Sequence, residues 1–261
     1  MSVNYVVKNG IGHVEMNEPD RLNALDIPMV EAIHLALDKA ESDRTVKIVL
    51  LSGAGKAFCA GGNVQFFHDA VEREAYDEID DIVRAVGGLI HRMLQYPKLI
   101  IGAVHGHAVG GGANLMLACD LVVADEKTKF SEIFTHIGLA TDSGGMYLLS
   151  KAIGSRKALS ACLFGTTWNG DALLELGLIH QLVPTGMHVE VAYDVALELA
   201  EGPLKAYEAV KQEQYAANYA DFQRYSQHIE TPLVCETLRS HDFKEAVTAF
   251  VEKRKPKFKG C

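Results

Sequence analysis

Two glycine-rich segments, each placed directly after a strand-like apolar run, restrict what this chain can fold into more than anything else in it. The run 46–52 ends in the turn Gly53-Ala54-Gly55-Lys56, and Ala57-Phe58-Cys59-Ala60-Gly61-Gly62-Asn63 follows. The run 99–104 leads into His105-Gly106-His107-Ala108-Val109-Gly110-Gly111-Gly112-Ala113-Asn114, where a helical pattern over about 113–119 begins. Glycines at such places leave backbone N–H groups unpaired and let a ligand approach closely. A phosphate cradle would need a lysine followed by serine or threonine, and neither segment has that pattern. A dinucleotide fingerprint at the first strand is also missing. Two loops of this kind can instead converge on a single oxygen, which is what an oxyanion hole requires.

The rest of the chain supplies a frame for them. Residues 5–8 and 11–16 read as strands joined by Asn9-Gly10, a hairpin signal. Residues 26–40 carry Ile27, Val30, Ile33, Leu37 and Ala40 at helical spacing, with Asp26 as N-cap. Residues 77–96 form a long amphipathic helix stopped by Pro97. Further strands are expected over 121–124 and 179–183. This alternation predicts an α/β core of stacked ββα turns over residues 1–202. Residues 203–261 read as helices over 204–219, 220–230 and 240–254, a helical C-terminal appendage to the core, used in docking or oligomerisation.

Composition narrows the partners. The 261 residues include 25 basic and 34 acidic side chains, a formal net charge of -9. Such a balance repels nucleic acid and anionic membrane surfaces, so neither is expected as a partner. The longest apolar stretch, 99–124, is interrupted by His105, His107, Asn114 and Asp120, and the opening residues carry no basic region followed by an apolar core. The five cysteines are odd in number and widely spaced, which fits neither a disulfide framework nor a metal site. A reducing, cytoplasmic setting is expected.

Taken in order, these segments make the chain resemble the crotonase (enoyl-CoA hydratase/isomerase) superfamily over almost its whole length. The carriers are 17–25 (Asn-Glu-Pro-Asp-Arg-Leu-Asn-Ala-Leu), 57–63, 106–120, 138–145 (Gly-Leu-Ala-Thr-Asp-Ser-Gly-Gly), 172–178 and 250–255. The resemblance implies a spiral of ββα repeats and a homotrimer or dimer of trimers. It also implies an acyl-CoA substrate, coenzyme A being part of the substrate with no separate cofactor or metal. By position it puts the two oxyanion amides on Gly62 and Gly111. Arg21, Leu22, Ala24, Ala60, Asn63, Asn114 and Phe134 then lie along the substrate, with Asn114 orienting it.

The chain departs from the hydratase pattern at both glutamates that place water. The resemblance puts the first at Asn114 and the second at Phe134. Asparagine hydrogen-bonds but does not exchange a proton at neutral pH, and phenylalanine does neither. Glu132 stands two positions too early to replace the second. The carboxylate left is Asp142, which has two readings: N-cap of a helix starting near Met146, or proton carrier. The resemblance favours the second, because isomerases of phenylacetate degradation share the Gly-Ala-Asn-Leu turn, the phenylalanine and the Gly-Leu-x-x-Asp-Ser-Gly-Gly run. Dienoyl-CoA isomerases add a glutamate at the position of Phe134. Aryl-CoA dehalogenases add a histidine at the position of Gly87.

The expected activity is isomerisation of an unsaturated or cyclic acyl-CoA, with Asp142 as acid and base. The alternatives are hydration or hydrolysis by water that Asp142 activates, and a non-catalytic acyl-CoA-binding scaffold. Among other residues, His105 and His107 are expected to bond locally, His91 to pack or face solvent, and Cys59 to fill space. His136 and Glu132 are candidates for the acyl pocket. The basic run Lys253, Arg254, Lys255, Lys257 is either a solvated tail or a contact for coenzyme A phosphates.

Overall fold

The computed structural model describes residues 2–261. Among the described residues nine strands form two sheets: β1 (Val3–Lys8), β2 (Ile11–Met16), β3 (Ile48–Gly53), β4 (Ile100–Val104), β5 (His107–Val109), β6 (Leu121–Asp125), β7 (Lys129–Ser131), β8 (Thr167–Asn169) and β9 (Gln181–Val183). The larger sheet has the order β1-β2-β3-β4-β6-β9 and the smaller one β5-β7-β8. From β4 to β7 the chain alternates between them: β4 in the large sheet is followed by β5 in the small, and β6 by β7. This is the expected ββα spiral.

The helices are α1 (Ile27–Ser42), α2 (Val64–Glu72), α3 (Tyr76–Gln95), α4 (Gly111–Leu117), α5 (Gly145–Ile153), α6 (Ser155–Phe164) and α7 (Gly170–Glu175). They continue with α8 (His188–Ala200), α9 (Leu204–Asn218), α10 (Phe222–Tyr225), α11 (Thr231–Leu238) and α12 (His241–Val251). The β1–β2 hairpin pairs Lys8 with Ile11 across Asn9-Gly10, both with positive φ, as a two-residue primed turn requires. Asp26 caps α1 by accepting the Met29 N–H at 2.9 Å, and Ser240 caps α12 through Phe243 at 3.0 Å.

The central strands β3, β4 and β6 are buried on both faces, so they are largely apolar rather than alternating with polar residues. Val49 and Leu51 of β3 join the core beneath α1 and α3. Ile48 and Leu50 face the other way, against Ala192, Ala196 and Ala200 of α8. That back-covering helix was not anticipated from sequence, nor were α2, the small sheet, α6 and α7.

Two expectations need correction. The helix placed over 113–119 starts at Gly111, so the glycine run itself forms its first turn. The segment 203–261 is helical, but it is not an appendage to the core. Its Phe222, Val234, Leu238, Phe243 and Val247 are buried in the main hydrophobic cluster. Within it the stretch 220–230 is broken, passing from α10 into a π-turn over Ser226–Glu230.

Candidate active site

The two glycine loops run side by side. Cys59 and Ala108 form a bridge, with the Cys59 N–H donating to His107 O at 2.9 Å and the Val109 N–H to Cys59 O at 3.1 Å. A Cβ on Gly112 would stand 2.2 Å from the Cys59 carbonyl oxygen, so only glycine lets the loops approach this closely. Among the described residues, neither the Gly62 nor the Gly111 amide donates to a backbone carbonyl. Gly111 is the first residue of α4, so the positive end of the helix dipole adds to its amide.

Both glycines line a cavity of about 270 Å³. Its walls are apolar: Val64 and Phe67 from α2, Ile82, Val83 and Val86 from α3, and Ile133, Phe134, Ile137 and Leu139 after β7. The C-terminal segment closes it with Ala246, Phe250, Arg254 and Pro256. Asp142 also lines it and is the one carboxyl among these residues. Burial among apolar side chains pushes the Asp142 carboxyl up to about 6, the neighbouring Ser143 hydroxyl acting in the opposite sense.

Asp142 does not cap α5. That helix starts at Gly145 with Gly144 at its N-cap and no side-chain cap bond, which removes the capping reading. The Asp142 main chain is what is held: its carbonyl accepts the Asn114 side-chain N–H at 2.8 Å and the Gly145 N–H at 2.9 Å. Asn114 is fully buried behind the cavity wall, so its bond to Asp142 stands where a substrate contact was expected. Phe134 is in the wall itself, its ring 3.5 Å from where a Cβ on Gly110 would stand.

The other expected binding residues divide in two. Ala60 lines the cavity, and Leu25, not anticipated, lines it as well. The segment before Leu25 runs along the first glycine loop, with the Ala60 N–H donating to Leu22 O at 3.0 Å and the Leu25 N–H to Gly61 O at 2.8 Å. Arg21 is tied to Glu18 at 2.8 Å and Asp26 at 2.6 Å outside the cavity. Ala24 is buried, and Asn63 caps α2 through Phe66 at 3.2 Å; neither lines the cavity.

Cys59 is buried, and burial pushes its thiol up to about 12, which rules out a thiolate nucleophile at neutral pH. His105 bonds Gly55 O at 3.1 Å and stacks on His188, and His91 meets the Tyr215 hydroxyl at 3.3 Å. His107 is exposed. His136 lines the cavity rim, bonding Phe164 O at 3.2 Å. Glu132 is buried outside the cavity lining. Arg254 lies in the wall with its guanidinium held by Glu245 and Glu252. Among the described residues no group of three or more His, Cys, Asp or Glu is arranged to hold a metal ion, and no helix is long and apolar enough to cross a membrane.

The profile of the enoyl-CoA hydratase/isomerase family matches residues 6–261. A trans-2-decenoyl-[acyl-carrier-protein] isomerase of Streptococcus mutans is 32% identical, over 98% of this chain and 97% of its own. A 1,2-epoxyphenylacetyl-CoA isomerase of Escherichia coli is also 32% identical, over 97% of each. The crystal structure of an enoyl-CoA hydratase from Mycobacterium avium subsp. paratuberculosis superposes with a TM-score of 0.88 at 28% identity, covering 99% of both chains. Likeness that runs from end to end, in sequence and in fold, assigns the chain to the crotonase superfamily as a member of the enoyl-CoA hydratase/isomerase family.

Proposed function

We propose that this protein is an isomerase of an unsaturated or cyclic acyl-CoA, in which Asp142 carries the proton. The observation that supports this most is the isolation of Asp142: it is the one carboxyl among the residues lining an otherwise largely apolar cavity that also contains Gly62 and Gly111. The positions of the two hydratase glutamates hold Asn114 and Phe134, so a pair of carboxylates to fix and split water is missing. Two of the relatives carry isomerase names.

In this reading the thioester carbonyl accepts hydrogen bonds from the Gly62 and Gly111 amides. The Asp142 carboxylate takes a proton from the α-carbon of a 3-enoyl thioester. The released electron pair delocalises onto the carbonyl oxygen, where the two amides stabilise it. The dienolate then takes the same proton back at the γ-carbon, leaving the double bond between the α- and β-carbons. A carboxyl near 6 suits this work, being mostly ionised at pH 7 yet able to return its proton. The cavity holds the acyl group and thioester, while the nucleotide or pantetheine arm of coenzyme A runs past Arg21, Leu22 and Ala24. The protein acts as a homotrimer or dimer of trimers, an assembly that would cover exposed apolar residues such as Val210 and Leu233.

The test is to incubate the protein with a 3-enoyl-CoA and identify the product. A 2-enoyl product supports the proposal. A 3-hydroxyacyl product would mean that Asp142 activates water, and tight binding without turnover would mean a scaffold.

A further inference from the structure

The turn that aims Asp142 is held from behind by a residue far away in the chain. Ser143 and Gly144 both have left-handed backbones, φ +51° and +87°, and two such residues in succession, one not glycine, are costly unless the surroundings fix them. Two buried side chains do so. Asn114 binds the Asp142 carbonyl on one side. On the other, the Gly144 N–H donates to both carboxyl oxygens of Glu230, at 2.9 and 3.0 Å. Glu230 ends the π-turn Ser226–Glu230, the one π-turn among the described residues. Such insertions re-aim a side chain that a regular helix would point elsewhere.

Glu230 also belongs to a cluster of three enclosed carboxyls. It is 3% exposed. Glu132, 1% exposed, makes no hydrogen bond through either oxygen. The groups facing Glu230 are Asp142 before α5, Glu132 after β7, Tyr225 on α10 and the Ser226 hydroxyl on the π-turn itself. Cys162 of α6 faces Glu132 and Tyr225. Among the described residues no cation balances the three, and Arg254 in the cavity wall is committed to Glu245 and Glu252. An interior without a compensating cation tolerates few like charges. Asp142 reaches the cavity and can be hydrated there; Glu132 and Glu230 do not line it.

We propose that Glu230 is a positioning residue for Asp142 that works as a neutral acid, holding the Gly144 amide while its own proton spares the site a second negative charge. The inference rests on the reading of Asp142 as proton carrier. Burial first, and the nearby Asp142 charge second, push Glu230 up to about 8, in keeping with a protonated state at neutral pH. Asp142 and Glu230 then titrate as a coupled pair.

Two variants of the full chain test this, Glu230→Gln and Glu230→Ala. Glutamine keeps an acceptor for the Gly144 N–H and mimics the neutral acid; alanine removes both. Infrared spectra of the resting protein at pH 7 should show a protonated-carboxyl C=O band that Glu230→Gln removes. If the variant removes a carboxylate band instead, or changes neither, the proposal fails. In isomerisation assays Glu230→Ala should lower kcat on the order of tenfold to 10²-fold with little change in KM, as misplacement of a reacting group does. Glu230→Gln should restore most of that loss and abolish any change in the pH profile near 8. Glutamine as damaging as alanine would overturn the proposal. If Glu230→Ala does not fold, the glutamine variant and the infrared band decide. If the wild type does not isomerise enoyl-CoA, the reading of Asp142 fails, while the infrared band still decides the state of Glu230.

Discussion

Replacing Asp142 by asparagine should damage catalysis and strengthen the fold. The side chain caps no helix and faces the cavity. The turn around it is fixed through its carbonyl and through Gly144, neither of which the substitution touches. What asparagine removes is a carboxylate whose ionisation burial opposes, raising it from 3.8 to about 6. With each pKa unit worth about 1.4 kcal/mol, keeping that charge at pH 7 costs the folded state about 3 kcal/mol at most. Hydration through the cavity reduces this, so a gain of about 2 kcal/mol is a fair expectation. In a domain of this size that raises Tm by several degrees, at roughly 2–4 °C per kcal/mol. Catalysis should fall by about 10²–10⁴-fold, because asparagine cannot carry a proton. Calorimetry at pH 7, binding of an acyl-CoA and turnover of a 3-enoyl-CoA read the three effects separately. Turnover within a few-fold of wild type would refute the role of Asp142. Lost activity accompanied by a lower Tm would refute the claim that its charge is held against the fold.

Asn114→Ala should lower kcat less than Asp142→Asn does and leave acyl-CoA affinity nearly unchanged, since Asn114 is buried behind the wall and holds only the Asp142 main chain; steady-state kinetics and titration with an acyl-CoA check this. Asp142 and Glu230 both have folded-state values above their ordinary ones of 3.8 and 4.5, so the folded state binds the extra protons and stability should decline as pH rises from about 4 to about 8. Denaturant titrations across that range should show the decline, and Glu230→Gln should flatten its upper part. In solution the chain should sediment as a trimer or hexamer at micromolar concentration, because exposed Val210, Ile229, Leu233 and Phe250 lie on the C-terminal helices; a monomer would contradict the proposed assembly.

What could be read without coordinates was set by the length and regularity of each element. The hairpin across Asn9-Gly10, the Asp26-capped α1 and the long α3 ending before Pro97 all carry a sustained period or a clear stop signal. Three-residue strands such as β5, β7 and β8 are too short to show a period, so the small sheet was invisible. Asn63 drew attention as a possible ligand contact, when its place at the start of α2 is the N-cap signal that would have located that helix. The glycines of the cavity were legible because few other residues allow such close loop approach. Its backing was not: Asn114 acts through a carbonyl, and Glu230 reaches Gly144 only because a π-turn re-aims it, a local insertion with no pattern of its own.

The central claim is that one carboxyl moves one proton along the acyl chain beneath two amides. Following deuterium placed on the α-carbon of a 3-enoyl-CoA tests it most directly. With the substrate filling the cavity, Asp142 is shut off from bulk water, so a single turnover should yield a 2-enoyl product with part of the label on its γ-carbon. A 3-hydroxyacyl product, or label transfer that persists undiminished in Asp142→Asn, would contradict the account.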